Sequence, residues 1–179
     1  MAFSDPQRNI EQLGLSEGMR VADFGAGSGF YTVAASGKVG MDGRVYAIDI
    51  QSGLLGRIQD TVHGVQTSNI EVLQGDLEHE GGSKLRDGTA DVVLAANILF
   101  QVTRKEVFLK EAWRVLKSGG RLLLVDWRGA FGGVGPRQRD VVAETAAEQL
   151  LRNAGFSIER RIQAGEHHYG IVARRPKGA

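Results

Sequence analysis

Short apolar runs alternate along this chain with longer segments of helical length or spacing. The run at residues 44–49 is nearly all apolar, which is typical of a strand that is covered on both faces. Such runs predict strands at residues 21–24, 44–49, 70–74, 90–96 and 121–126. Helices are predicted at residues 30–35, 51–63 and 105–116, and the last of these is stopped by residues 118–120. A further helix is predicted ahead of the first strand, with Ser4 or Asp5 as its N-cap and Pro6 in its first turn. Strands that alternate with helices predict an α/β fold with a parallel, doubly wound sheet.

The C-terminal part of the chain breaks this alternation. A helix is predicted at residues 139–154, and strands follow at 156–162 and 168–174. Only residues 163–167 connect these two strands, which is too short for a parallel crossover. We therefore expect a mostly parallel sheet that ends in an antiparallel hairpin.

Composition narrows the class of protein. The chain has 179 residues, which predicts one domain over residues 1–179, and 42% hydrophobic residues are ordinary for a soluble globular protein. The chain has no cysteine (Cys 0), so disulfides, thiolate metal sites and cysteine nucleophiles are excluded, and no spacing motif supports another metal site.

A net charge of +1 indicates no bulk attraction to nucleic acid or membrane. Residues 1–13 lack a signal-peptide core and no apolar run is long enough to span a membrane, so we expect a cytoplasmic protein.

A glycine motif joins the first predicted strand to the next helix. Gly25, Gly27 and Gly29 alternate with other residues, so the backbone can turn tightly and a ligand can approach it closely. The start of the helix offers unpaired N–H groups to polar ligand atoms, and strand, turn and helix together predict a nucleotide site. A dinucleotide site favours Gly or Ala at the sixth position of the motif, where this chain has Phe30, so NAD is disfavoured.

Acidic and polar residues follow the other predicted strands. Asp49 ends the second strand, 20 residues after Gly29, where a carboxylate accepts hydrogen bonds from ribose hydroxyls, although it is also well placed to cap a helix. Asp76 follows the third strand and Asn97 the fourth. Because ligands bind at the carboxyl ends of strands in open α/β sheets, we expect these residues at one site.

The strand ends together resemble the class I S-adenosylmethionine-dependent methyltransferases, and locally the quinone-biosynthesis and arsenite methyltransferase-like branch. The resemblance rests on an acidic residue before Gly-x-Gly-x-Gly, on Asp49, on Gly75-Asp76 and on residues 91–102, with a similar helix-to-strand turn at 115–121. It covers residues 8–128 well and the remainder in topology, and it implies a seven-stranded Rossmann-like methyltransferase fold with S-adenosylmethionine as cofactor. By that resemblance, Asp76 accepts from the adenine amino group and the backbone at Asn97 contacts adenine. The implied cofactor-binding residues are Asp23, Phe24, Gly25, Ala26, Gly27, Gly29, Asp49, Ile50, Gly75, Asp76, Leu77 and Asn97.

The family needs no universal catalytic residue, because positioning a nucleophile against an activated methyl group is the main task. Asp126 ends the fifth strand and His168 begins the last one, so both are expected at the same rim as candidate proton-transfer residues. The alternative is that His167 and His168 are surface residues of an exposed turn; His79, in a loop, is a further candidate.

The acceptor is predicted to be a small, largely apolar or aromatic molecule. This expectation rests on aromatic residues near the strand ends, with Asn97, Asp126 and His168 available to orient one functional group. The aromatic residues are Phe100, Trp127, Phe131 and Tyr169. The glycine-rich loop at residues 129–135 is predicted to be a mobile lid over the acceptor pocket.

Two other functions remain open at this point. One is an RNA methyltransferase that binds phosphates through Arg137, Arg139, Arg160 and Arg161, and the other is a cofactor-binding module without catalytic activity. An arsenite acceptor is disfavoured because the chain has no cysteine, and amino-group methylation of protein or DNA is unsupported because the asparagine-proline-proline-aromatic signature is absent. The sequence does not determine the acceptor atom or the oligomeric state.

Overall fold

Seven strands form one sheet in the order β3-β2-β1-β4-β5-β7-β6. The computed structural model describes residues 4–64 and 67–178; residues 1–3 of the predicted polar N-terminus lie outside this part. The strands are β1 (Arg20–Phe24), β2 (Arg44–Asp49), β3 (Ile70–Gln74), β4 (Ala90–Ala96), β5 (Leu116–Trp127), β6 (Ser157–Ile162) and β7 (His168–Arg174). The helices are α1 (Pro6–Leu13), α2 (Phe30–Val39), α3 (Ser52–Gly64), α4 (Lys105–Val115) and α5 (Glu144–Asn153).

The pairing confirms the predicted α/β sheet and its C-terminal hairpin. β1 pairs in parallel with β2 and β4, and the parallel order continues to β3 on one side and β5 on the other. β7 runs antiparallel to both β5 and β6. The reversal brings the start of β7 to the rim where the parallel strands end, because His168 lies opposite Trp127.

The predicted helix at residues 139–154 is wrong over its first part. A short 3₁₀ helix covers Gln138–Asp140, and the backbone is then extended at Val141 (ψ 127°) and Ala143 (ψ 145°) before α5 begins. Two adjacent β-branched valines at 141 and 142 disfavour a continuous helix here. The apolar face of α5 therefore begins only after this extended segment.

The predicted helix stop at residues 118–120 is also displaced. α4 already ends at Val115, since Leu116 is extended (φ −69°, ψ 140°) and pairs with Ala90. Residues 118–120 consequently belong to the early, irregular part of β5. In contrast, α2 runs beyond the predicted end at residue 35 to Val39, where Gly40 donates its N–H to the Ser36 carbonyl.

Helices cover both faces of the sheet. On one face, Ile10 and Leu13 of α1 pack with Ala35 of α2. On the other face, Phe108 of α4 and Leu151 of α5 belong to one core cluster. The Phe108 ring meets Phe24 edge-on at a centroid distance of 5.8 Å, which ties α4 to the end of β1. No helix in residues 4–64 and 67–178 is long and apolar enough to cross a membrane.

A buried ion pair fixes the loop that follows β3. Glu111 on α4 accepts hydrogen bonds from the Gly81 N–H at 2.9 Å, the Ser83 hydroxyl at 2.6 Å and the Arg114 Nε at 2.9 Å. Burial alone would raise the pKa of Glu111, but the hydrogen bonds from Arg114 and Ser83 outweigh it and lower the pKa to about 2. The loop is thereby held against α4, next to the end of β3.

Replacing Glu111 with Gln is expected to destabilise the protein by about 3 kcal/mol at pH 7, because Arg114 would lose its buried partner. A lowered pKa means that the stabilisation exists above the unfolded-state value and disappears as Glu111 is protonated. The difference in unfolding free energy between the two proteins should therefore shrink as the pH falls from about 4.5 towards 2. Chemical denaturation across this range measures it, and Glu106→Gln, at an exposed position of the same helix, is the matched control. Equal effects of the two variants would contradict this account.

Candidate functional site

A cavity of about 630 Å³ opens at the carboxyl ends of β1, β2, β3 and β4. All but two of the predicted cofactor-binding residues line it. Those that do are Asp23, Gly25, Ala26, Gly27, Asp49, Ile50, Gly75, Asp76, Leu77 and Asn97. The strand ends thus bring together residues that lie far apart in the sequence, in a volume typical of small-molecule sites.

The two exceptions, Phe24 and Gly29, contribute to the core and to the backbone of the fold. Phe24 is fully buried against Phe108, because its side chain points from the strand into the core. Gly29 caps the start of α2 in the left-handed conformation (φ 81°). Neither residue lines the cavity, although both flank residues that do.

Several lining residues were not predicted from the sequence. Some neighbour the recognised motifs and could have been included on that basis: Ser28, Phe30, Tyr31, Gln51, Glu78 and Ile98. Ala96, Gln101 and Val102 lie within the recognised segment at residues 91–102. Others carry no local signal and reach the cavity only through the fold: Ser4, Pro6, Leu54 and Phe108.

The backbone conformation at Gly25 favours glycine, and an added side chain there would also displace Ile98. The φ of 74° at Gly25 lies in the left-handed region, and a Cβ there would lie 2.0 Å from the Ile98 Cδ1. The N–H groups of Gly25 and Ala26 both donate to the Ile48 carbonyl, at 2.8 and 3.0 Å. These two hydrogen bonds hold the loop after β1 against the carboxyl end of β2.

Asp49 connects the glycine loop with the segment that enters α3. Its Oδ2 accepts from the Gly27 N–H at 3.0 Å and its Oδ1 accepts from the Gln51 N–H at 2.9 Å. The side chain is 6% exposed and lines the cavity. Since each carboxylate oxygen can accept more than one hydrogen bond, both retain acceptor capacity for ligand hydroxyls.

Asp23 lies deeper in the same wall. It is 2% exposed, and its Oδ2 accepts a hydrogen bond of 2.6 Å from the Thr32 hydroxyl in the first turn of α2. The pKa of Asp23 is raised to about 6, chiefly by burial and also by the charge of Asp49, while the hydrogen bonds from Thr32 oppose this rise. The carboxylate is therefore poorly compensated within the protein.

Asp76 is held in place by its own loop. Its Oδ1 accepts from the Glu78 N–H at 3.0 Å, and its Oδ2 lies 2.8 Å from the His79 Nδ1. The preceding Gly75 donates to the Asp49 carbonyl at 3.1 Å, and a Cβ at this position would lie 2.2 Å from the Gly82 carbonyl oxygen. His79 therefore acts on the site through Asp76 and does not line the cavity.

Asn97 forms the far wall. It has a φ of 55°, in the left-handed region that non-glycine residues rarely adopt, and its N–H donates to the Val125 carbonyl at 2.8 Å. The Asn97 Oδ1 is buried and has no hydrogen-bond partner within residues 4–64 and 67–178. An acceptor atom without a donor at a cavity wall suits a ligand that donates a hydrogen bond.

The N-terminal segment closes another side of the cavity. Ser4 and Pro6 line it, and the Tyr31 hydroxyl holds them near α2. The Asn9 Nδ2 donates to the Tyr31 hydroxyl at 2.7 Å, and the Ser4 hydroxyl lies 2.9 Å from the same oxygen. Tyr31 thus both lines the cavity and anchors the segment that covers it.

The predicted aromatic rim is present only in part, because Tyr169 is buried in the core, and it lies outside the cavity. Trp127 packs on His168 with ring centroids 4.2 Å apart, and Phe131 packs on His167 at 4.0 Å. Tyr169 is fully buried, and none of the four predicted rim aromatics, Phe100 included, is among the lining residues. The expectation that they surround one pocket with the cofactor residues remains a prediction.

His168 is not a residue of an exposed turn. It is 1% exposed, and both ring nitrogens lack a hydrogen-bond partner in the part of the chain that the structure describes. Burial and, to a smaller extent, the charge of the neighbouring His167 lower the pKa of His168 to about 4, so the imidazole is neutral at pH 7. The exposed-turn interpretation failed because the antiparallel pairing places this side chain against Trp127.

Asp126 links the ends of β5 and β4. It is 1% exposed and accepts from its neighbour Trp127 at 2.8 Å and from the Phe100 N–H at 3.2 Å. Burial raises the pKa of Asp126 to about 6, against the opposing effect of these backbone hydrogen bonds. Asp126 does not line the cavity, so its proposed proton-transfer role stays a prediction.

The glycine-rich loop at residues 129–135 packs on the aromatic rim. A Cβ at Gly135 would lie 2.8 Å from the Trp127 ring, and the Val134 N–H donates to the Phe131 carbonyl at 2.8 Å. None of its residues lines the cavity. Its role as a mobile lid remains a prediction.

The arginines of the RNA alternative mostly have acidic partners. Arg161 pairs with Glu144 at 3.1 Å and with Glu148 at 2.7 Å, and Arg160 pairs with Glu159. These pairs partly neutralise the charge that a phosphate backbone would require. Among the described residues, no group of three or more His, Cys, Asp or Glu side chains is arranged to hold a metal ion.

Comparison with known proteins gives matches at both sequence and fold level. The family described as "Methyltransferase domain" matches residues 22–124. The chain is 34% identical over 119 residues to "Ubiquinone/menaquinone biosynthesis C-methyltransferase UbiE" of Haemophilus ducreyi, covering 66% of this chain and 45% of that protein. The corresponding protein of Azotobacter vinelandii is 38% identical over 120 residues, with 66% and 46% coverage. The chain thus spans about half the length of the curated relatives that it matches.

Solved structures agree over nearly the whole chain. A SAM dependent methyltransferase from Aquifex aeolicus superposes with a TM-score of 0.88 at 31% identity, covering 97% of this chain and 90% of that one. An arsenic (III) S-adenosylmethionine methyltransferase from Chlamydomonas reinhardtii superposes with a TM-score of 0.71 at 22% identity, covering 98% and 75%, and this likeness concerns the fold alone.

The site geometry predicts that Gly25→Ala disrupts the cavity. The added methyl group would meet Ile98 and force a left-handed backbone on alanine, which is expected to cost about 1–3 kcal/mol of stability. The matched control is Gly37→Ala on α2, where a Cβ meets nothing within 4 Å and should stabilise the helix by up to about 1 kcal/mol. Thermal and denaturant unfolding compare the two variants. A Gly25→Ala protein as stable as Gly37→Ala would show that the loop tolerates a side chain there.

Proposed function

The chain belongs to the methyltransferase domain family, within the class I S-adenosylmethionine-dependent enzymes, and we propose that its cavity binds S-adenosylmethionine for methyl transfer to a small, largely apolar or aromatic acceptor. The observation that carries the proposal is the convergence of the glycine loop, Asp49 and Asp76 on one cavity. A single domain over residues 1–179 and a cytoplasmic location are part of the same proposal.

The lining residues suit this cofactor in kind and position. We propose that the Asp49 carboxylate, already fixed by two backbone N–H groups, accepts from the ribose hydroxyls, and that Asp76 accepts from the adenine amino group. The loop from Gly25 to Gly29 would lie under the amino-acid part of the cofactor, where side chains are excluded at Gly25. The unpartnered Asn97 Oδ1 supports a ligand donor at the far wall.

Bound S-adenosylmethionine supplies a methyl group on a positively charged sulfur; the methyl leaves for an electron pair of the acceptor, and the electrons of the broken carbon–sulfur bond stay on sulfur. The residues of this chain would bind and orient both partners and keep water out of the cavity. Val102 and Phe108 form an apolar part of the wall, with Ile98 beside them. We assign no proton transfer to Asp126 or His168, because neither lines the cavity.

The acceptor class rests on the chemistry of this wall and on the relatives. The apolar side chains favour an apolar or aromatic ring over a phosphate-rich polymer. The curated relatives are named as ubiquinone and menaquinone biosynthesis C-methyltransferases, which supports a quinone-like ring and carbon as the acceptor atom.

Calorimetric titration tests the proposal. The protein is expected to bind S-adenosylmethionine and not NAD, and Asp49→Ala should weaken binding by roughly ten- to a hundredfold, since a charge-assisted hydrogen bond contributes about 1.5–3 kcal/mol. Asp42→Ala, at an exposed position outside the cavity, is the matched control. Binding of NAD alone would contradict the proposed cofactor. Unchanged affinity in a folded Asp49→Ala protein would show that Asp49 only connects Gly27 with Gln51 and does not bind the ligand.

A further inference from the structure

A second concavity, of about 450 Å³, lies on the outer side of α2. Four residues of α2 line it at positions i, i+3, i+4 and i+7, so they form one stripe along the helix. They are Phe30, Val33, Ala34 and Gly37. The other lining residues come from the start of α1, the last turn of α2 and α3: Asp5, Pro6, Gln7, Lys38 and Thr61. We call this surface the α2 groove.

The outer stripe of α2 is apolar although it faces away from the core. The opposite face of the helix already packs in a core cluster through Tyr31, Ala35 and Val39. A surface helix of a globular protein normally has polar residues on its outer face. Phe30 is instead 69% exposed, and it is the residue that departs from the Gly or Ala of a dinucleotide motif. Exposed apolar surface of this kind marks binding grooves as well as protein interfaces.

The polar groups beside the stripe are engaged elsewhere. Asp5 accepts from a backbone N–H in the first turn of α1 at 3.2 Å. The Lys38 Nζ lies 3.3 Å from the Glu11 Oε1, so the methylene groups of Lys38 are what it offers to the groove. The Thr61 hydroxyl donates to the Arg57 carbonyl at 2.9 Å. The groove is therefore more apolar than its list of residues suggests.

The α2 groove is continuous with the cavity, because Phe30 and Pro6 line both. A molecule that occupies the cavity can therefore extend over these two residues into the groove. The groove is small for a protein partner, since a stable interface involves about 20–30 residues on each side and nine residues line the groove. It suits a narrow, apolar part of a small molecule.

Resting on the proposed function, we propose that the α2 groove binds a flexible hydrocarbon chain of the methyl acceptor. The aromatic end of the acceptor lies in the cavity, and the chain passes over Phe30 and Pro6 and follows the stripe towards Gly37. The stripe from Phe30 to Gly37 is about 10 Å long, because a helix rises about 1.5 Å per residue. Burial of the chain supplies affinity, while the cavity positions the atom that receives the methyl group.

The test measures how the affinity for an aromatic probe depends on the length of its chain. The probes are 4-alkylphenols with unbranched chains from methyl to octyl. They are titrated calorimetrically into the protein saturated with S-adenosylhomocysteine, the demethylated cofactor, so that no methyl transfer occurs. For the wild type, the Kd is expected to fall by about two- to fourfold with each added methylene group and to level off once the chain reaches Gly37.

Gly37→Gln is the variant that shortens the groove. Gly37 is exposed and a Cβ there meets nothing within 4 Å, so the variant should fold, and Gln favours a helix more than Gly does. The octyl probe should bind about tenfold more weakly than to the wild type, and the methyl probe equally well, because only the end of a long chain reaches this position. Gly56→Gln, an exposed change on α3 outside both the groove and the cavity, is the matched control and should alter neither Kd.

Sedimentation velocity tests whether a second copy of the chain covers the stripe instead. The wild type and Gly37→Gln are compared at two protein concentrations. Self-association of the wild type that Gly37→Gln weakens, together with equal affinities for the methyl and octyl probes, would overturn the proposal in favour of an interface between two copies.

The remaining outcomes separate the inference from the proposed function. Equal affinities for all chain lengths, in a wild type that binds S-adenosylmethionine, would overturn the groove and leave the proposed cofactor intact. A dependence on chain length that Gly37→Gln alters no more than Gly56→Gln does would show that the chain binds elsewhere. A wild type that binds neither S-adenosylmethionine nor S-adenosylhomocysteine would contradict the proposed function, and the inference would fall with it.

Discussion

The Asp49 carboxylate is the contact on which the geometry of the site depends. It holds the Gly27 N–H on one side and the Gln51 N–H on the other, so that the loops after β1 and β2 keep a fixed separation. The neighbouring Asp49 carbonyl accepts from Gly75, which adds the loop after β3 to the same assembly. Parallel pairing of β1, β2 and β3 aligns the three strand ends, and these hydrogen bonds turn the alignment into a cavity.

Much of the fold could be read from the sequence because its strands are short, apolar and bounded by turns. β2, β3, β4 and β7 begin and end where the pattern predicts. The start of α5 could not be placed, since the alanines and leucines that suggest a helix extend the signal across Val141 and Val142, where the backbone is extended. Local pattern records the preference of a segment, whereas the start of a helix also depends on what the preceding residues pack against.

Site residues that belong to a local motif could be predicted from the sequence, whereas residues that only the fold brings to the cavity could not. Asp23 and Asp49 lie at the carboxyl ends of β1 and β2, and Asp76 follows β3, so the strand topology brings them together. Ser4 reaches the cavity only because Tyr31 anchors the N-terminal segment, a contact across 27 positions that no local pattern encodes. The burial of His168 likewise follows from its pairing opposite Trp127, which a turn composition cannot indicate.

A crystal structure of the protein with bound S-adenosylhomocysteine tests the central claim most directly. We expect the ribose hydroxyls to lie within hydrogen-bond distance of the Asp49 carboxylate, and the hydrogen bonds from Gly27 and Gln51 to that carboxylate to be retained. A ligand bound elsewhere, or an Asp49 side chain that turns away from the ribose to serve only the two loops, would contradict it.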